Sequence, residues 1–185
     1  MANTDWPHGL RPYGPILSRR EYTLSSGYAQ DLFIGDPVVA NGTGRNVVIA
    51  TAGTTNKILG SILAIYDADK VPLSYWNSGH SGVGYVVVAD HPMQEYLVQD
   101  NAAGIFGING ANGNVNLASG SGSTVYYLSG WELAGGDTPG STAGDQIRLI
   151  RPYDTTQNDV TLGNAEWIVR INNHQALQGI VGAGI

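Results

Sequence analysis

The sequence predicts an all-β fold, an antiparallel β-barrel or sandwich preceded by an extended N-terminal arm. Three observations carry this expectation. The chain holds 26 Gly in 185 residues, about twice the usual ~7% share. Together with eight Pro they interrupt the chain so often that the longest stretch free of both is 164–178, 15 residues. Helices typically need about 8–20 uninterrupted residues, and an interior Gly costs roughly 1 kcal/mol relative to Ala. The intervals between are instead rich in β-branched and aromatic residues, in runs that suit strands. Two of the runs also alternate. Trp167, Val169 and Ile171 share one face against Glu166, Ile168 and Arg170, and Ile147 and Leu149 oppose Arg148 and Ile150.

Taken in order, residues 1–20 read as the extended arm. Pro7, Pro12 and Pro15 forbid regular structure, and Arg11, Arg19 and Arg20 against Asp5 give it a charge of +2. Ordering such a segment costs roughly 1–2 kcal/mol per residue, so it is expected to order on docking. Its candidate contacts are Trp6, Arg11, Tyr13, Ile16, Arg19 and Arg20. Residues 21–185 form the β body. One subdivision of it is a small β-barrel module at 21–80 and a second, jelly-roll-like β region at 81–185 with a loop insert at 101–144. Strands are expected at 37–40, 45–52, 57–66, 83–89, 94–98, 123–128, 145–150 and 165–171. Gly60 inside the third marks a bulge or a close approach. Asn41-Gly42 reads as a hairpin turn before it reads as a glycosylation sequon. Gly104, Gly107, Gly110 and Gly113 recur at period three but without Pro, so they make turns, not collagen. A short helix at 173–178 is the strongest competing element, and the chain ends in the apolar GIVGAGI.

Composition excludes several chemistries. With no Cys there is no disulfide, thiolate–zinc, iron–sulfur or thiol-nucleophile chemistry. A net charge of −6 argues against a nucleic-acid-binding face. No apolar run approaches the ~18 residues of a membrane span, and MANTDWPHGLRPYG lacks the apolar segment of a secretory signal. His8, His80, His91 and His174 lack the i, i+4 spacing of a helical zinc site. Ser81, in GHSGVG, falls one residue short of a nucleophile elbow and has no following helix. Asp90-His91 runs into Pro92 and reads as a strand-ending turn. Asp67 and Asp69 sit in DADK, a turn signature before a pair of glycosidase carboxylates. The expectation is therefore a protein that is not an enzyme, without catalytic, metal or cofactor residues. A small glycoside hydrolase is the weakest alternative.

Charge and aromatics point to binding. Residues 60–145 carry eight acids and one base, Lys70, so a basic arm adjoins an acidic body, a pattern that suits docking on another protein. Trp and Tyr number 14 against two Phe. Such rings pair an apolar body with a polar tip and are enriched at interfaces. Trp76, Tyr126, Tyr127 and Trp131 are the candidate exposed aromatic contacts. They also support an alternative, a carbohydrate- or receptor-binding β module of a virion with its site in the 101–144 loops.

The segment YAQDLFIGDPVVANGTGRNVVIATAGTTNKILGSILAIYDAD, residues 28–69, runs from a Gly-Asp-Pro turn into a valine strand. A polar turn leads on to Ala-Thr-Ala and then to Ile-Leu-Gly-Ser-Ile. It resembles the small β-barrel module of tailed-bacteriophage head decoration (capsid cement) proteins. Residues 83–100, VGYVVVADHPMQEYLVQD, and 165–175, AEWIVRINNHQ, are similar to parts of phage virion proteins encoded near the major capsid protein. The resemblance implies a viral structural protein, made in the bacterial host cytoplasm, that binds the outer capsid surface of the virion. It implies the major capsid protein of the same virus as partner, self-association as a homotrimer or alternatively a homodimer, and no cofactor. The shell subunit itself is excluded, because no window free of Gly and Pro would hold its long spine helix.

Overall fold

The expected valine- and isoleucine-rich runs form strands. The computed structural model describes residues 2–42 and 44–177. Its strands are β1 (Arg11–Tyr13), β2 (Arg19–Leu24), β3 (Pro37–Ala40), β4 (Val47–Ile49), β5 (Gly60–Tyr66), β6 (Pro72–Leu73) and β7 (Gly84–Ala89). They continue as β8 (Glu95–Gln99), β9 (Asn114–Val115), β10 (Leu117–Ala118), β11 (Glu132–Leu133), β12 (Ile147–Pro152) and β13 (Glu166–Ile171). All named strand pairs are antiparallel. One sheet has the order β1-β8-β13-β12-β9, the other β2-β7-β5-β3-β4 with β6 beside β5, and β10 and β11 form a separate ribbon.

The second sheet curls until its edges meet. Thr23 N–H in β2 donates to the Arg45 carbonyl at 2.8 Å, and Thr23 bridges Asn46 just before β4. Inside the curl lies an apolar cluster that includes Leu24, Val38, Val47, Ile62, Ile65, Trp76, Val86 and Val88. A register shift between Ile62 and Ala64 lets Ile62 and Ile65, three residues apart, serve this one face. The opposite face of the sheet presents Leu63 and Ala89 to a second cluster with Leu10, Tyr96, Val98, Trp131, Leu133, Leu149 and Trp167. The two sheets are thereby packed as a sandwich. Gly60 marks the close approach its position predicts, since a Cβ there would collide with the Ala89 carbonyl.

Four expectations need correction. The N-terminal segment is extended, but it is not free to wait for a partner. β1 pairs with β8 from Arg11↔Leu97 to Tyr13↔Glu95, β2 pairs with β7 over six residues, and Leu10 is fully buried. The segment spans both sheets in its own chain, so its ordering cost is met by long-range pairing within that chain.

Residues 123–128 are not a strand. The Ser123 Oγ accepts the N–H groups of Val125 and Tyr126, and Tyr127 N–H donates to the Ser123 carbonyl at 2.7 Å. A hydroxyl turn has won over β-propensity. The expected helix at 173–178 is a single 3-10 turn, Gln175–Leu177. Residue 178 and the GIVGAGI tail lie outside the described residues. The 101–144 segment is also less loop-like than expected, because β9, β10 and β11 bring Val115, Leu117 and Leu133 into the core.

Candidate functional site

Four aromatics are expected at the surface from sequence, and the structure divides them. Trp76 is fully buried in the curled sheet. Its backbone exchanges hydrogen bonds with Leu32, its indole N–H donates to the Tyr28 carbonyl at 3.1 Å, and its ring fills the space left by Gly84. Trp131 enters β11 and packs in the core between the sheets. Neither is an exposed contact. Each carries a large apolar surface, and the gain from burial grows with that area.

Tyr126 and Tyr127 are exposed, at 58% and 41%. Trp6, 46% exposed, places its ring centroid 4.6 Å from that of Tyr126. Tyr127 stacks on Tyr75 at 5.9 Å, and Tyr75 stacks on Phe33 at 5.2 Å with the planes 4° apart. Val125, 73% exposed, and Ile34 extend the surface. The N-terminal segment and the 123–128 turn therefore build one aromatic patch. The Ile34–Leu128 bridge and the bond from Ser129 N–H to the Ile34 carbonyl, 3.0 Å, fasten the turn beneath it. Beside the patch a cleft of about 280 Å³ is lined by Trp6, Leu10, Pro12, Ile34, Leu63 and Leu128, with His8 and Arg11 at its polar side.

The other arm residues lie elsewhere. The Tyr13 ring meets Tyr153 edge-on at 6.0 Å, with the Arg151 guanidinium 5.9 Å away. Ile16 is exposed. Arg19 opens β2, and Arg20 lies 3.5 Å from the Asp90 carboxylate. Of the six arm residues, only Trp6 and Arg11 reach the patch and its cleft. Sequence reasoning missed Ile34 and Val125, and the pairing of Trp6 with Tyr126. The signal for the turn was available in Ser123, but the partner of Trp6 is 120 residues away.

Asp36 and Asp100 are buried, and Glu132 is half-buried. Asp36 accepts the Phe33 N–H at 2.8 Å, and burial pushes its pKa up to about 6 against a bond from Ser129. Glu132 on β11 is pushed up to about 7 by desolvation and by the charges of Asp5 and Asp100. The Asp100 carboxylate takes N–H bonds from Ala102, Asn164 and Ala165.

The residues weighed as catalytic have other partners. Asp90 accepts the hydroxyls of Ser18 and Tyr22, and His91 Nδ1 accepts the Met93 N–H. Asp67 Oδ1 accepts the N–H groups of Asp69 and Val71 and shapes the turn. Among the described residues no group of three or more His, Asp or Glu is arranged to hold a metal ion. No known protein family, curated protein or solved structure matches this chain.

Proposed function

We propose that this chain is a structural protein of a bacteriophage virion, a decoration protein that binds the outer capsid surface and holds neighbouring major capsid subunits together. The observation that carries this reading is the aromatic patch of Trp6, Tyr126 and Tyr127 beside an apolar cleft. Exposed aromatic anchors next to a pocket are the usual cores of protein interfaces. The backbone supports the same reading. Tyr127 has φ +61°, a left-handed conformation that costs an L-residue with a bulky side chain roughly 1–2 kcal/mol. Strain of this kind is retained where it positions a contact. The resemblance of residues 28–69, 83–100 and 165–175 to phage decoration and virion proteins names the partner.

In this reading the N-terminal segment contributes Trp6, held by the bond from its N–H to Gln99 Oε1 just ahead of β1, and does not act as a swinging arm. Binding only the assembled lattice stabilises it by mass action, and a homotrimer, or alternatively a homodimer, multiplies weak contacts by avidity. The test adds purified protein to undecorated heads and follows co-sedimentation and heat-induced rupture. The wild-type chain is expected to pellet with the heads and to raise the rupture temperature. Trp6→Ala/Tyr126→Ala is expected to lose at least about 2 kcal/mol of binding, the scale of an interface hot spot. Absence of wild-type binding, or full binding by the double variant, overturns the reading.

A further inference from the structure

A polar cavity of about 250 Å³ opens between the N-terminal segment and the loop that joins β12 to β13. Its size lies just below the ~300 Å³ at which small-molecule sites usually begin, which suits one small ring. Three side-chain amides build its frame, and all three are fully engaged. Asn3 donates to the carbonyls of Asp159 and Gly163 and accepts the Asp159 N–H. Gln99 donates to the carbonyls of Thr4 and Asn164 and accepts the Trp6 N–H. Asn158 donates to the carbonyls of Tyr153 and Glu166 and accepts the Glu166 N–H. A frame whose own bonds are satisfied fixes the backbone that carries the remaining polar groups before any ligand arrives.

Those remaining groups also line the cavity. They are Tyr153, Thr155, Gln157, Asn164 and Glu166. The side chains of Thr155, Gln157 and Asn164 make no hydrogen bond to another described residue, nor does the Tyr153 hydroxyl, so each has capacity to spare. One Glu166 oxygen lies 3.2 Å from His8 Nε2, and the other is available to accept. The bond from His8, with the charges of His8 and Arg11 behind it, holds the Glu166 carboxyl below the usual range against desolvation, so it is an anion at neutral pH. Trp6 and Tyr153 add aromatic surface.

We propose that this cavity binds a neutral saccharide, taking one sugar ring of a glycan. An ionised carboxylate accepts vicinal hydroxyls in charge-assisted bonds. Primary amides offer a donor and an acceptor together, which matches a hydroxyl that does both. Aromatic surface covers the C–H face of a sugar ring. The carboxylate repels phosphate, sulfate and acidic sugars, so the ligand class is neutral. Among the described residues Glu166 is the one acid that lines the cavity, whereas glycoside hydrolysis needs a pair, so the site is read as one of binding. This assignment does not rest on capsid attachment. It also moves saccharide recognition away from Trp76 and Trp131, which are buried, to residues that composition did not single out.

The experiment is saturation-transfer NMR on the full chain, with glucose, galactose, mannose, N-acetylglucosamine and inorganic phosphate as separate probes. Transfer is expected to at least one neutral sugar at millimolar affinity, the range of a single small site, with none to phosphate. Gln157→Ala, in an exposed loop, and Glu166→Gln are expected to weaken it about tenfold, which is about 1.4 kcal/mol. Val71→Ala, exposed and outside the cavity, is expected to leave it unchanged. The proposal is overturned by silence from every neutral sugar, by equal transfer in wild type and Gln157→Ala, by preference for phosphate, or by loss in Val71→Ala.

Discussion

Trp76 and Tyr126 occupy similar sequence contexts, each beside a second aromatic in a Gly- and Ser-rich stretch, yet one is core and the other surface. What separates them is non-local. Gly84, eight residues beyond Trp76, has no side chain to exclude the indole, and Tyr28 supplies its hydrogen-bond acceptor from 48 residues upstream. Tyr126 has the partly exposed Trp6 against it. The consequence is a large difference in stability. Trp76→Ala is expected to lower unfolding free energy by about 3–5 kcal/mol, the cost of truncating a buried Trp. Tyr126→Ala is expected to change it by no more than about 0.5 kcal/mol, as at other exposed positions. Urea midpoints with unchanged slope measure both. Equal midpoints for the two variants would remove Trp76 from the core. The sequence therefore showed which residue types carry binding and packing, but not which copy of each does which.

At the scale of elements, strands were legible where β-branched residues are dense. PVVA became β3 with the same limits, and VGYVVVA became β7 less its first residue. They were illegible where a polar side chain captured the backbone, as Ser123 did, or where Pro disguised an edge. Pro12 lies in β1, at the outer edge of its sheet, where a missing N–H costs the ladder least. That tolerance is why three prolines read as a free arm. Because β1 covers β8 and Leu10 fills the core, deleting residues 1–17 is expected to destroy cooperative unfolding rather than trim an appendage. Thermal melts followed by near-UV and far-UV circular dichroism test this. A truncated chain that melts at the wild-type midpoint would show that the pairing contributes nothing to stability. Loss of capsid binding on such a deletion would accordingly say nothing about docking, which is why the docking test uses Trp6 and Tyr126 instead.

Across the whole molecule, the acidic stretch at 60–145 was legible as a charge imbalance, but its consequence depends on where the fold gathers the acids. Glu132 on β11 is brought near Asp100, at the end of β8, and Asp5 of the N-terminal segment. Its pKa rises from 4.5 to about 7 in the folded chain. Between those values the native state holds a proton that the unfolded state has released. Stability contributed by this group therefore falls as pH rises through the window, since it increases with pH only where the unfolded state binds more protons. Asp36 acts in the same direction between 3.8 and about 6. His174 acts oppositely, because burial lowers its pKa from 6.5 and the unfolded chain takes up its proton first as pH falls. These opposed groups blur the wild-type profile, so the informative quantity is the difference between wild type and Glu132→Gln. At pH 4, where Glu132 is protonated in both states, the two proteins are expected to melt together. Above pH 7 the variant, which has no charge to bury beside Asp5 and Asp100, is expected to melt higher by about 2–4 °C, the shift that roughly 1 kcal/mol produces in a chain of this size. A difference that is flat from pH 4 to 8 would mean that the three acids do not interact where the N-terminal segment meets the body.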